Sequence, residues 1–391
     1  MRRINKHQLI FIFFSLILFI IIVSSSFDEK VNSLSLYVLI PFLTIYSFLR
    51  LKKEVLRHRP IILLLLLYAW MVLTGFIGGD LGSYMQGIKT MTGVVLFCTI
   101  LYSFSLIEKK YILLIYFLYS IKFLYFFYYS INHGLWETSI NENRMRIEGI
   151  NANTFGYFSY FAVVASFFIL MEGQIKVSKL LAWLLVVLSI SSGIVTVFYA
   201  ASRAGFIVTI GMSMIFLLLY FLYPFRRRSF VVVLVGILLT AAILSRVTTG
   251  FKDSVLATRF TEVNDDIRLE LFFEGIHLGL KHPFFGIGAG NYSSTHSSYT
   301  ELFATHGILG LFLFIILILE AVKRSHDLYS MGTTYRKYSL FFLAFFVVYF
   351  FYNLFYWFYL NFFLLGFFFL IRAHLETIMS AIFKEAHATD I

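Results

Sequence analysis

The sequence predicts an all-α protein that crosses a membrane many times. Of its 391 residues, 60% are hydrophobic, and the mean hydropathy is +0.83, whereas soluble domains have about 45–50% apolar residues. Apolar stretches of roughly 17–25 residues, each long enough to cross a bilayer as a helix, recur along the chain. No stretch of useful length remains for a soluble domain, so we predict a single integral membrane domain over residues 1–391.

The apolar stretches predict a helical bundle of about 12 spans (11–12). The last two are separated by little polar sequence, and the alternative is one re-entrant hairpin. The first follows "MRRINKHQ", and "VSSSFDEK" after it is a poor cleavage site, which predicts an uncleaved first span. The predicted spans cover residues 8–26, 31–49, 60–78, 88–106, 111–130, 152–171, 180–200, 204–223, 229–245, 301–320, 338–355 and 357–371.

The distribution of basic residues predicts that both termini are cytoplasmic. Most of the 32 Lys and Arg residues fall on one side of the alternating spans, in segments such as "RLKKEVLRHR" and "FRRR", and basic loops stay in the cytoplasm. The net charge of +11 then reflects loops that face anionic headgroups and requires no nucleic acid. The external side carries two long loops, 131–151 and 246–300, and the second is predicted to contain a helix.

Four of the arginines on the predicted external side, where the charge rule does not favour basic residues, are informative. Arg144 and Arg146 precede the span at 152–171, Arg203 lies in the short turn of "YAASRAGF", and Arg268 lies in the external loop. Ionisable residues at membrane depth indicate function by default, and the alternative is that they reach the headgroups. Guanidinium groups bind phosphate oxygens through paired hydrogen bonds. Several arginines in one external pocket would therefore hold a lipid diphosphate.

A short helix over 265–281 gives Arg268 a defined position. At about 100° per residue, Glu270, Glu274 and His277 form one polar stripe, and Arg268 falls roughly opposite to it. If the polar stripe faces water, Arg268 is directed towards the protein or the lipid. This pattern supports Arg268 as a second anion ligand.

Two external histidines and a glutamate surround the start of the span at 301–320. His296 can accept a proton at neutral pH, whereas Glu301 and His306 are not in helical register with it, so no triad is predicted. His306 is expected to make a helix-packing contact. Lys122 lies within the span at 111–130, where it would pair with a buried acceptor or line a cavity. The chain has one cysteine, Cys98, and no spacing that indicates a metal site.

Four motifs in order resemble the bacterial O-antigen ligase and O-antigen polymerase superfamily. They are "RIEGINANTFGYFSY", "ASRAGF", "IRLELFFEGIHLGLKHPFFGIGAGNY" and "HSSYTELFATHGILG", within about residues 140–320. The family pattern of His, then Asn, Ser or Gln, then nine residues and Gly is matched by His296, Ser297 and Gly307. The glycine pair that follows in many ligases is only partly present, as Gly307 and Gly310.

The resemblance implies a membrane glycosyltransferase whose donor is a glycan on undecaprenyl diphosphate, with no cofactor and no metal. It implies that Arg203 and Arg268, with Arg144 or Arg146, bind the diphosphate and that His296 is the general base. Its implied partners are the lipid-linked donor and acceptor, the bilayer, and the flippase and chain-length regulator of the same pathway. We predict a polymerase of surface polysaccharide repeat units in the plasma membrane. The alternatives are a ligase that transfers the glycan to lipid A-core or protein, and a secondary transporter or lipid-glycan permease.

Overall fold

The computed structural model confirms an all-α architecture for the part of the chain that it describes. The described residues are helical apart from short turns, and they include no β-strand. The described ranges are 6–24, 29–51, 55–76, 81–132, 152–172, 179–222, 267–288, 297–354 and 361–389.

We number the α-helices of these ranges from α1 to α13 in chain order. A π-helical turn, Ser35–Leu39, joins the second helix to the third. The bounds are α1 Lys6–Ile22, α2 Glu29–Leu34, α3 Ile40–Leu51, α4 Arg59–Gly75, α5 Leu81–Ile107, α6 Lys109–Asn132, α7 Ala152–Glu172, α8 Lys179–Tyr199, α9 Arg203–Leu222, α10 Ile267–Lys281, α11 Ser298–Ser330, α12 Thr333–Tyr352 and α13 Phe362–Thr389.

The helices make the chain a multi-pass membrane protein. In the described ranges, 7 helical stretches are long and apolar enough to cross a membrane. Shorter apolar helices occur as well, at Gln8–Ile22, Arg59–Gly75 and Gly156–Glu172. The predicted number of about 12 spans is not confirmed by these helices, and the predicted span at 229–245 lies outside the described residues. The cytoplasmic location of both termini stays a prediction.

Two of the late helices are longer than the sequence predicts. α11 extends well beyond the predicted span at 301–320, and α13 continues beyond the predicted span at 357–371. The predicted span ends at residue 371, just before Arg372, and charged residues are costly in a membrane. In the structure Arg372 is only 1% exposed, since carboxylates from two helices surround it.

The described helices belong to two compact units, each with its own core. In the first unit, α13 packs along α5, where Gly366 leaves room for the ring of Phe97. In the second unit, α7, α8 and α9 pack together. The first unit comprises Met1–Ile115, Ile267–Leu328 and Tyr349–Ile391, and the second comprises Tyr116–Asp266 and Tyr329–Val348.

A cluster of ion pairs fastens α11 to α13 in the first unit. Arg372 of α13 donates from Nε and Nη2 to the two carboxylate oxygens of Glu320 of α11, at 2.9 and 2.8 Å. Its Nη2 also donates to Glu376 at 2.6 Å. Arg324 of α11 donates to the same Glu376 oxygen at 3.3 Å. Paired charges of this kind are tolerated at membrane depth because each has a partner.

Small residues allow the helices of the second unit to approach closely. Gly193 of α8 lies between α7 and α9, and a Cβ placed on it would lie 3.3 Å from Thr209 Cγ2 and 3.5 Å from Ser159 Cβ. Helices in membranes associate through such small residues, because lipid supplies no hydrophobic driving force between helices.

The ion-pair cluster predicts an unequal cost for removing its two arginines. Arg372→Met leaves Glu320 and Glu376 without the buried guanidinium, so the free energy of unfolding should fall by about 3–5 kcal/mol. Arg324→Met removes a side chain that is 38% exposed. Its ion pair with Glu376 should contribute about 1 kcal/mol or less to the free energy of unfolding. The midpoints of thermal unfolding of both variants in detergent check this difference. Equal midpoints would contradict the assigned role of Arg372.

Candidate functional site

The central feature of the candidate site is a break in α11. Gly307 has φ 68° and ψ −170° inside this helix, a backbone conformation that is essentially restricted to glycine. The break separates a short first segment, 298–306, from a long second segment, 308–330. At a break, backbone groups lose their helical partners, and within a membrane such groups must find partners in the protein.

A loop that follows α10, residues 283–288 ("PFFGIG"), replaces the lost helical hydrogen bonds. In an uninterrupted helix the N–H of Ile308 would donate to the carbonyl of Ala304. Here Ile308 N–H donates to the carbonyl of Pro283 at 2.7 Å, and the carbonyl of Ala304 accepts from Ile287 N–H at 2.8 Å. The loop and the helix therefore exchange backbone hydrogen bonds.

The next two carbonyls before the break are also satisfied from outside the helix. The carbonyl of Thr305 accepts from Gly288 N–H at 3.0 Å. The carbonyl of His306 accepts from the indole N–H of Trp70 in α4 at 2.8 Å. Three consecutive carbonyls, those of residues 304–306, thus have an N–H donor from another part of the first unit.

Two glycines make this close approach of two backbones possible. Gly286 has φ 69° and Gly307 has φ 68°, so both adopt conformations that other residues avoid. A Cβ on Gly286 would overlap the backbone of Thr305, and a Cβ on Gly307 would overlap the carbonyl oxygen of Phe284. Only hydrogen-sized side chains fit between the loop and the helix.

His306 is fixed by α4 on the last turn of the first segment. Its side chain is buried, with 2% of its surface exposed, and its Nδ1 lies 2.7 Å from Oγ1 of Thr74. Trp70 stacks on Phe285 of the loop with ring centroids 5.6 Å apart. Gly310 leaves space for His306, since a Cβ there would lie 2.7 Å from the histidine Cβ. His306 thus makes a helix-packing contact of the kind that the sequence predicts.

The first segment of α11 is held at its other end by the end of α12. The N–H of Ser298 donates to the carbonyl of Asn353 at 2.9 Å. Glu301, in the first turn, is buried with 8% exposed. His296 lies outside the described residues. Its neighbour Ser297, which directly precedes α11, is described.

α10 carries Arg268 near its beginning. The three residues of the predicted polar stripe, Glu270, Glu274 and His277, are exposed. Gly275 and Gly279, which are both buried, follow residue 268 by seven and eleven positions, respectively. At helical spacing the Cα of residue 268 therefore lies on the same face of α10 as these two glycines. That face packs on α11, because Gly279 lies directly against Phe303. The side chain of Arg268 itself lies outside the described part.

The sequence predicted that Arg203 lies in the turn before α9. In the structure Arg203 is instead the first residue of this helix. The turn contains Ala201 with φ 48°, and Ser202 caps the helix, because its Oγ accepts from Gly205 N–H at 3.3 Å. Gly205 lies against Gly156, the fifth residue of α7. The N-terminal ends of α7 and α9 therefore lie side by side, and both helix dipoles favour an anion there.

Lys122 of α6 lies beside the same end of α7. Its side chain is fully buried, and its Nζ lies over the ring of Phe158 at 4.6 Å from the centroid. Cation–π contacts of this kind are strongest when the cation is desolvated. Within the second unit, Lys122 and Arg203 thus both flank the first two turns of α7.

The structure brings the predicted site residues together only in part. Glu301 and His306 share the first segment of α11, and Lys122 and Arg203 flank one end of α7. Arg144, Arg146 and His296 lie outside the described residues, so their roles stay predictions. Trp70 and Thr74 were not predicted as site residues, because the "WMVLT" spacing places them one helical turn apart but gives no indication of their partner.

Comparison with known families supports the resemblance of the sequence motifs. Residues 184–315 match a family model described as O-antigen ligase. This region runs from α8 into α11 and contains Arg203, α10 and the break at Gly307. The match supports the O-antigen ligase and polymerase superfamily and a membrane glycan ligase or polymerase function. No curated protein matches the chain.

The geometry of the break predicts that Gly307 cannot carry a side chain. Gly307→Ala should lower the free energy of unfolding by about 2–4 kcal/mol, because it combines a strained φ with overlap of a backbone oxygen. Gly211→Ala in α9 is the matched control, since a Cβ there meets nothing within 4 Å and alanine favours a helix by about 1 kcal/mol. Thermal unfolding in detergent compares the two. A Gly307→Ala midpoint equal to that of the wild type would disprove the tight packing of the loop.

Proposed function

We propose that this protein is a membrane glycosyltransferase that polymerises undecaprenyl-diphosphate-linked repeat units into surface polysaccharide at the outer leaflet of the plasma membrane. The observation that carries the proposal is the match of residues 184–315 to an O-antigen ligase family model. The matched residues include the capped start of α9 and the helix break in α11. The capped start of α9 suits an enzyme that binds an anionic lipid, and the helix break suits one that presents a polar segment.

The proposed reaction is a single displacement at the anomeric carbon of the donor glycan. The oxygen of the acceptor hydroxyl forms the new glycosidic bond, and the bond between the anomeric carbon and the diphosphate oxygen breaks. Undecaprenyl diphosphate leaves with the electron pair, and the acceptor proton passes to His296. One displacement predicts inversion at the anomeric carbon. A general base contributes roughly 10²–10⁴ to the rate of such a step.

Arginines would stabilise the negative charge that develops on the leaving diphosphate. The proposal assigns this role to Arg203 and Arg268, with Arg144 or Arg146 as a third cation. The position of Arg203 at the start of α9, next to the start of α7, supports its role, because helix N-termini and guanidinium groups both favour phosphate. Fixed donors of this kind are most effective where charge develops in the transition state.

The structure of the break argues against the transporter alternative. Secondary transporters use broken helices whose unwound carbonyls coordinate the coupled cation. Here the carbonyls of residues 304–306 accept N–H groups from the loop and from Trp70. These three oxygens are therefore engaged in hydrogen bonds and poorly suited to an ion. A break of this kind fits the positioning of a polar segment better than ion coupling.

A ligase that transfers the glycan to lipid A-core or to a protein is the second candidate, because the matched family model is described as O-antigen ligase. The two functions use the same donor and the same chemistry and differ only in the acceptor. A polymerase requires a second lipid-linked glycan, whereas a ligase requires a different hydroxyl group. The products therefore separate the two candidates.

Reconstituted activity tests the proposed function. Proteoliposomes that contain the purified protein and an undecaprenyl-diphosphate oligosaccharide should release undecaprenyl diphosphate and form a ladder of longer glycans. A single addition to lipid A-core or to a protein acceptor, with no ladder, would favour the ligase. No transfer to any acceptor, with intact protein in the vesicles, would refute both.

Three substitutions assign the roles within the proposed site. His296→Ala should lower kcat by roughly 10²–10⁴. Arg203→Ala and Arg268→Ala should raise KM for the donor and also lower kcat, because the cations bind the diphosphate before and during bond cleavage. The matched controls are Lys179→Ala, the exposed first residue of α8, and Lys281→Ala, the exposed last residue of α10. Unchanged kinetics in the three variants would remove the site assignment.

A further inference from the structure

Two residues of α4 make direct contacts with the broken end of α11. Trp70 and Thr74 stand one helical turn apart on the same face of α4. Both contact His306, which directly precedes Gly307. α4 lies far outside the residues that match the family model, so the motifs of the matched region do not include these contacts.

Trp70 donates a hydrogen bond to the broken end of the helix. In a continuous helix the carbonyl of His306 would accept from the N–H of residue 310. Here the indole N–H of Trp70 donates to it at 2.8 Å. The same indole ring stacks on Phe285, so Trp70 contacts both sides of the junction between the loop 283–288 and α11.

Thr74 fixes the orientation of the His306 ring. Its Oγ1 lies 2.7 Å from Nδ1 of His306, and the backbone of α4 in turn fixes this hydroxyl. The carbonyls of Trp70 and Met71 lie 2.9 and 3.3 Å from the same Oγ1. A buried imidazole with a hydrogen-bonded ring nitrogen has one preferred orientation, and its backbone is held with it.

We propose that Trp70 and Thr74 are positioning residues of the enzyme, which hold His306 and thereby fix the helix break for the transfer reaction. The inference rests on the proposed function. The break orders Gly288 through its bond to Thr305 and defines the first segment of α11, which begins after Ser297. Gly288 and Ser297, the described residues on either side of residues 289–296, are thus both connected to this junction, and α4 contacts the junction through Trp70 and Thr74.

The test uses four single variants of the full-length protein. Trp70→Phe removes the indole N–H and keeps an aromatic ring for Phe285. Thr74→Val removes the hydroxyl at nearly constant volume, and Thr74→Ser restores it. Tyr68→Phe is the matched control, because it removes a hydroxyl of the same helix that bonds to Thr92 of α5 at 2.8 Å and lies on a different face of α4 from Trp70.

The first readout is hydrogen exchange at the backbone of the loop, which requires no catalysis. The N–H groups of Ile287 and Gly288 should exchange about fivefold faster in Trp70→Phe and Thr74→Val, because one hydrogen bond that holds the junction is lost. Thr74→Ser and Tyr68→Phe should exchange as the wild type does. Unchanged exchange in Trp70→Phe and Thr74→Val would overturn the inference.

The second readout is the kinetics of glycan transfer in proteoliposomes. Trp70→Phe and Thr74→Val should lower kcat by about 10- to 100-fold, because small displacements of reacting groups are costly. Their KM for the lipid-linked donor should stay within about twofold. A purely structural role would instead lower the amount of folded protein and leave kcat per folded molecule unchanged, and that result would overturn the inference. Thr74→Ser should recover the wild-type kcat.

The two proposals fail in different ways. Wild-type transfer combined with wild-type kcat in Trp70→Phe and Thr74→Val would reject the positioning role and leave the proposed function intact. Absence of transfer in the wild type would reject the proposed function, and with it the role of these residues in a reaction. Faster exchange together with a lower kcat at constant KM supports both.

Discussion

The described site depends on one constraint, the need to satisfy backbone groups where a membrane helix is interrupted. A helix normally meets this need within its own backbone, and lipid offers no substitute. At Gly307 the protein meets it with N–H groups of the loop 283–288 and with the indole of Trp70. The two backbones approach closely only because Gly286 and Gly307 lack a Cβ.

The exchange also links the elements that carry the proposed chemistry in the first unit. α10 continues directly into the loop, and the loop is bonded to the first segment of α11. Residue 268 near the start of α10 and Ser297 just before α11 are therefore both connected to this junction. The proposed reaction requires its reacting groups to be held in fixed positions, and such a junction would help to hold them.

Much of the fold could be predicted from the sequence, because apolar length and turn residues act locally. The helix over 265–281 and the place of Gly307 in a family pattern were both predictable. The contact of Trp70 with the carbonyl of His306 was not, because 236 residues separate the partners. The length of α13 was also missed, because burial of Arg372 becomes favourable only when Glu320 of another helix is present. The local sequence pattern predicts where helices form, whereas the residues that each helix contacts depend on the tertiary structure.

The second segment of α11 is fixed by interactions of different kinds at its start and near its middle. Glu320 lies thirteen positions after Gly307, which corresponds to about 20 Å along a helix. Backbone hydrogen bonds hold the start of the segment at the loop, and the carboxylate of Glu320, which is bound to Arg372, holds its middle against α13. A helix in lipid can slide or rotate at little cost when only apolar groups surround it. Because the second segment is held at these two places, the depth and rotation of the break are set relative to α13.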